Sequence, residues 1–247
     1  MLKLILRVLL AVFIVFILPA LATAAWWMTV ERPGNWRSAD WSSSGLLPTP
    51  DGDTEAAVYV LGARTGGLKG AFSLHTWIVL KRAGAGYDRY DKVGWGSPIR
   101  KNTRPADGFW YSNAPFVIQS LRGQAAEDLI PKVEQAITTY PFSQPGAYRV
   151  WPGPNSNSFV AYVIDAVPEL GARLPSNAVG RDFPVGLWRL EWQKQSKDLR
   201  GSIAGLVGFS VGRSGVEVQF LGLVAGVDFI DPALLVPAFG RVGLWPF

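Results

Sequence analysis

The chain has no cysteine. That excludes disulfides, thiolate nucleophiles, iron–sulfur clusters and a lipid-modified lipoprotein cysteine. The compartment stays open, because an exported protein need not carry disulfides. Histidine is almost as scarce, with His75 alone. A transition-metal site would have to rest on carboxylates, and no clustered Asp/Glu motif is visible, so neither a metal nor any other cofactor is expected. Charged residues make up only 17% of the sequence, and the net charge of +5 is scattered along it. Lys81-Arg82 and Arg100-Lys101 are the nearest approach to basic patches and read as solvated faces. Nothing here predicts a nucleic-acid partner.

What the chain has in quantity is apolar and aromatic surface: 49% hydrophobic residues and 11 tryptophans. Residues 1–28 hold an uncharged run from Val8 to Ala25 behind Lys3 and Arg7. This is the pattern of a signal peptide or a transmembrane anchor. Ala22-Thr23-Ala24 resembles a signal-peptidase site, whereas Trp26-Trp27 would suit the far interface of a retained anchor. On either reading the rest is exported: inner-membrane-anchored and facing the periplasm, or periplasmic if the signal is removed. A helix protruding from the domain with few contacts is expected.

Residues 29–54 are rich in Pro, Gly, Ser and Asp and read as a linker or surface loop. A single α+β domain is expected over 55–247. Ala57 to Gly62 is a short apolar strand, Gly70 to Lys81 a second, and Tyr87 to Trp95 a third, the last two forming a hairpin. Gly96 to Asn113 looks like a loop, and Gln124 to Tyr140 a helix that Pro131 kinks or restarts. From 187 onward the pattern is that of a C-terminal β-hairpin, with strands at Ser202 to Val211 and Val216 to Val227. Asp231 to Phe247 shows no clear element.

The most informative stretch is YRVWPGPNSNSFVAYVIDAVPEL, residues 148–170. Tyr148, Val150 and Trp151 suggest a short strand, and Pro152-Gly153-Pro154 a rigid break. Asn155 and Ser156 can cap a helix whose buried face is Phe159, Val160, Val163, Ile164 and Val167. Unpaired N–H groups and the positive end of the helix dipole collect at its first turn and favour developing negative charge. Ser156 there is a candidate nucleophile and His75, in the middle of an apolar strand, a candidate base. The alternatives are a plain helix cap and a hydrogen-bonded core histidine. Gly208-Phe209-Ser210-Val211-Gly212 has the G-x-S-x-G spacing of a nucleophile elbow. It is rejected, because Ser210 precedes a hairpin turn and not a helix.

HTW on a strand, YDRYDKVGWG, YPF and then YRVWPGPNSNSFVAYVIDAVPELGARLP resemble a bacterial family, domain of unknown function 3750, from about Leu61 to the C-terminus. Asn155-Ser156-Asn157-Ser158-Phe159 is also similar, more distantly, to the Asn-Cys-Asn motif of the permuted papain-like hydrolases (the PPPDE peptidases, with lecithin retinol acyltransferase-like proteins). Serine stands where that motif has its cysteine. The resemblance implies an antiparallel sheet packed on a buried helix starting near Ser156, with papain-like core 55–186. His75 would act as base, and either Asp91 or Tyr90 would orient it. Backbone N–H groups at Ser156 and Asn157, with the Asn155 side chain, would bind an oxyanion.

Two functions follow from different classes. One is a Ser156/His75 hydrolase or acyl transferase acting on an amide or ester of a small-molecule, peptide or lipid-like envelope substrate. The other is an inactive papain-like binding or structural protein of the envelope. In both, Trp77, Trp95 and Trp151 are the candidates for ligand contact.

Overall fold

The computed structural model describes residues 1–243 of the chain. It is an α+β protein with an apolar N-terminal helix and two antiparallel sheets. Helix α1 (Leu2–Thr29) has a π-helical turn at Phe13–Ile17 and is long and apolar enough to cross a membrane. It does not stand clear of the domain. Phe16, Ala20, Thr23 and Trp27 form one buried stripe at helical spacing, while most of the helix is exposed. Trp27 Nε1 donates to the Gly67 carbonyl at 2.9 Å and fixes the C-terminal end.

The first sheet has the order β4-β3-β2-β1-β5, with β1 Ala57–Arg64, β2 Leu74–Lys81, β3 Tyr87–Lys92, β4 Ile99–Lys101 and β5 Phe116–Arg122. β1 and β2 are buried on both faces, as their largely apolar sequences favour. One face carries Val58, Val60, Ile78 and Leu80 against α2 (Gln124–Thr138) and α3 (Ser156–Ala166). Phe159, Val160 and Val163 of α3 are wholly buried there. Each such side chain contributes about 1.5–3 kcal/mol by leaving water. The opposite face carries Tyr59, Leu61, Trp77 and Val79 under Leu47 and Trp110. Residues 29–54 are therefore more than a linker: Leu47 and Trp41 pack on this face, and Ser43 and the Leu47 N–H bond to Asp107.

Several expectations change in detail. β4 lies within the stretch read as a loop, and β5 was not foreseen. Tyr148 to Trp151 form a bend and not a strand. The proline break after them does exist, with both X-Pro peptides cis. Helix α2 runs through Pro131 without interruption. The C-terminal hairpin is the centre of a seven-stranded meander, β6 to β12 in sequence order. Its strands are β6 Trp188–Gln193, β7 Asp198–Ile203, β8 Val207–Gly212, β9 Gly215–Phe220, β10 Leu223–Asp228, β11 Ala233–Val236 and β12 Gly240–Gly243. The last two fall in the tail that showed no element, and residues 244–247 of that tail lie outside the described residues. Ser210 sits in β8 and is followed by β9, so it occupies no strand-to-helix elbow.

Candidate functional site

Two local choices build the site. The first is the N-terminus of α3. Asn155 Oδ1 accepts from the backbone N–H groups of Asn157 and Ser158, and Ser158 Oγ accepts from the Asn155 N–H, which closes a capping box. Asn155 Nδ2 donates to the carbonyls of Val150 and Val179. Asn157 Nδ2 donates to the carbonyls of Leu74 and Val179, and its Oδ1 accepts from Thr76 Oγ1 at 2.9 Å. Both asparagine side chains are thus used up in tying the helix start to β2 and to the 171–186 loop. Gly180, at φ +98°, passes so close to Asn155 that a Cβ there would stand 2.4 Å from Nδ2.

The second is the strand pair β2–β3. Continuing the register of Ile78 opposite Tyr90, His75 and Asp91 are diagonal neighbours on one face. His75 Nε2 and Asp91 Oδ1 are 2.8 Å apart, both side chains buried. Arg89, two residues before Asp91 on the same face, donates from Nε to Oδ2 at 2.7 Å and from Nη2 to Oδ1 at 3.0 Å. It also stacks on Trp77, with Cζ 4.0 Å from the ring centre. Trp110 lies flat on the His75 ring, centroids 3.6 Å apart. Burial works against ionisation of Asp91. The Arg89 charge and the hydrogen bonds from His75 and Arg89 outweigh it and hold the carboxyl well below its usual range. Burial is also the main influence on His75 and pushes its pKa down, ahead of the opposing pull of Asp91. The imidazole is therefore neutral near pH 7. With Asp91 ionised, its proton sits on Nε2 and the lone pair on Nδ1. Nδ1 has no protein partner among the described residues and is not among the atoms sealed from solvent.

His75 and Ser156 line the same cavity of about 380 Å³ at the start of β2. Phe72, Val150, Trp151, Leu221 and Leu223 form its apolar wall, and Asn155, Asn157, Tyr148 and Lys69 are among its polar members. Ser156 Oγ makes no hydrogen bond to the protein among the described residues, and none joins it to His75. The His75 side chain belongs to the sheet face away from α3, with Trp77 and Trp110. The β2–β3 ladder ends at Ile78–Tyr90, so His75 lies beyond the paired part of β2 on that side.

The expected residues thus separate. Ser156, His75 and Trp151 border the cavity, and Asp91 supports His75. Tyr90 packs on the opposite face toward α2 and α3 and cannot orient the imidazole. Trp77 is fully buried beneath Arg89, and Trp95 is half-exposed beyond β3 with Arg100 over its ring, so neither is a ligand contact there. Asn155 and Asn157 have no side-chain donor left for an oxyanion, and the Asn157 N–H is taken by the cap. Among the described residues, the Ser156 N–H has no hydrogen-bond partner in that turn. Sequence reasoning missed Arg89, whose spacing from Asp91 was the available signal, and Trp110, which had none. Tyr148 also lines the cavity, and burial pushes its hydroxyl up to about 12, which keeps it protonated.

The model of the family described as "Protein of unknown function (DUF3750)" matches residues 55–183, just over half of the chain. That span contains His75, Asp91 and Ser156 and ends before β6. No curated protein and no solved structure matches the chain.

Proposed function

The chain belongs to the DUF3750 family, and we propose that it is a serine hydrolase or acyl transferase acting on an ester or amide, with Ser156 as nucleophile and His75 as base. The observation that carries this reading is the Asp91–His75 hydrogen bond of 2.8 Å, which leaves Nδ1 without a protein partner among the described residues at a histidine that lines the same cavity as Ser156. A strand histidine followed by a nucleophile at a helix start is also the chain order of the permuted papain-like hydrolases, with serine here in place of their cysteine, and we read 55–186 as that arrangement. Lys3 and Arg7 would stay in the cytoplasm and place the domain on the exported side.

In the reaction Ser156 Oγ attacks the carbonyl carbon as its proton passes to His75 Nδ1. The imidazolium that forms is held by Asp91, whose own charge Arg89 keeps in place. The carbonyl oxygen becomes an oxyanion beside the Ser156 N–H, the helix start and the Tyr148 hydroxyl. Collapse breaks the carbonyl bond to the alcohol or amine, which leaves with the proton from Nδ1. Water, or an acceptor hydroxyl, then gives up a proton to Nδ1 as it attacks the acyl-serine. The product acid or new ester departs and Ser156 is restored.

A second reading, a ligand-binding protein with the same cavity and no turnover, draws on the missing hydrogen bond between Ser156 Oγ and His75. Catalytic hydrogen bonds often tighten only once substrate is bound, so the two readings need an experiment. A fluorophosphonate probe should label Ser156 of the full-length protein. Ser156→Ala and His75→Ala should each abolish labelling, and Ser156→Cys should shift reactivity to thiol-directed probes. No labelling of a folded protein would leave the binding reading standing. Labelling at Ser210 would refute the assignment of the nucleophile.

A further inference from the structure

The seven-stranded sheet is turned inside out. Its alternation is regular, but the apolar residues point away from the protein. One outward row crosses every strand as Trp192, Leu199, Val211, Val216, Val227, Leu234 and Val242. The row beside it is Leu190, Gly201, Phe209, Val218 and Ala225, and the next runs from Trp188 through Ile203, Val207 and Phe220 to Leu223. No charged, amide or hydroxyl side chain interrupts these rows. The opposite face carries Glu191, Arg200, Ser210, Glu217 and Arg241 in a single row, with Gly226 and buried Leu235 between the last two. These meet the rest of the domain through ions: Arg189 and Arg200 reach Asp165 of α3, and buried Arg181 pairs with Glu217. Asp198 and Gln219 are buried, whereas Trp188 is 66% and Trp192 57% exposed.

From strand spacings the outward face measures about 30 Å by about 17 Å. An uninterrupted apolar area on the order of 500 Å² matches the largest patches of ordinary monomers, which mark contact sites. What covers it is indicated by its neighbour. Val8, Val12, Val15 and Phe16 of α1 border an apolar cleft with Val216, Val218 and Val227, and Phe16 approaches Phe220 with ring centroids 5.8 Å apart. Helix and sheet form one continuous apolar surface, and an 18-residue stretch of the helix has a mean hydropathy of 2.9. A medium that receives one receives the other.

We propose that the outward face of β6–β12 is a membrane-seating surface, resting on the acyl boundary of a bilayer with α1 lying alongside it in the same apolar surface. Its depth is limited, because among the described residues β6 and β12 are edge strands, and N–H and C=O groups without a strand partner need water. Trp188 and Trp192 lie on the edge strand β6, where indoles suit the interface. Leu221 and Leu223 belong both to this sheet region and to the cavity wall, so seating would bring the cavity beside the lipid surface. The proposal stands whether or not Ser156 is reactive.

The absence of native cysteine makes the test direct. Trp192→Cys, Phe209→Cys and, on the exposed side of α2, Asp128→Cys are each labelled with an environment-sensitive fluorophore. The full-length chains are reconstituted in phosphatidylcholine–phosphatidylglycerol vesicles. Trp192 is three strands away from β9, so a signal there does not report the burial of α1 itself. Labels at 192 and 209 should lose most of their fluorescence to nitroxide lipids and resist aqueous iodide, with the order reversed at 128. Iodide access at 192 and 209 equal to that at 128 would overturn the proposal. So would protection from both quenchers together with energy transfer between copies, which would mean that two sheets cover each other. Concordance of the two labelled positions guards against a local effect of either substitution.

Discussion

Thr76 Oγ1 donates to Asn157 Oδ1 at 2.9 Å, joining residues 81 positions apart. The bond is buried, and it locks the first turn of α3 to the residue next to His75. The distance between nucleophile and base is thus set by a neighbour of each. Asn157→Ala would leave the carbonyls of Leu74 and Val179 and the Thr76 hydroxyl short of partners. A loss of at least about 2 kcal/mol is expected in denaturant melts. Thr76→Val in that background should cost less than it does alone, a coupling that a double-mutant cycle reads directly.

Asp91→Asn should separate positioning from folding. The substitution keeps the shape but leaves the Arg89 charge buried without its carboxylate, for which about 3–5 kcal/mol of destabilisation is expected. In the fraction that folds, His75 loses the partner that raises its pKa and keeps the one that lowers it. The acid limb of probe labelling should move to lower pH, and the rate on the plateau should fall. An Asp91 that only supports the fold would leave the limb where it was.

The wild-type pH profile has a defined sign. His75 is held below the ordinary 6.5 by burial, so labelling of Ser156 should be at its plateau at pH 7 and fall as the pH drops through a midpoint below 6.5. Stability should follow the same direction. Below 6.5 an unfolded chain takes up a proton that the folded imidazole refuses, so that contribution is lost as the pH falls. Asp91, also lowered on folding, adds a second loss in the same direction in more acidic solution. A pH titration of thermal midpoint and labelling rate checks both.

Gly180→Ala tests the cap from outside the helix. The residue has φ +98°, and a methyl group would strike the Asn155 amide. Strain and the displaced cap together should cost about 1–3 kcal/mol, seen as a lowered thermal midpoint. Labelling of Ser156 should fall with it, since Asn155 sets the turn that presents the hydroxyl.

Much of this protein could be read from local pattern. The uncharged run behind Lys3 and Arg7, the apolar strands at 57 and 74, and the capped helix at 156 are signals carried within a few residues each, and such signals survive without knowledge of the fold. Asp91 was one of two choices, and only the β2–β3 register separated it from Tyr90, because side chains one position apart face opposite sides of a sheet. The roles of Asn155 and Asn157 also required tertiary structure. An amide that caps a helix looks the same in sequence as one that could bind an oxyanion, and the difference lies in whether Leu74, Val150 and Val179 bring carbonyls to it. The polarity of the second sheet was hidden for the same reason. Alternation along β6 to β10 says that one face is apolar, but which face meets the protein depends on where Asp165 and Arg181 stand when the chain has folded.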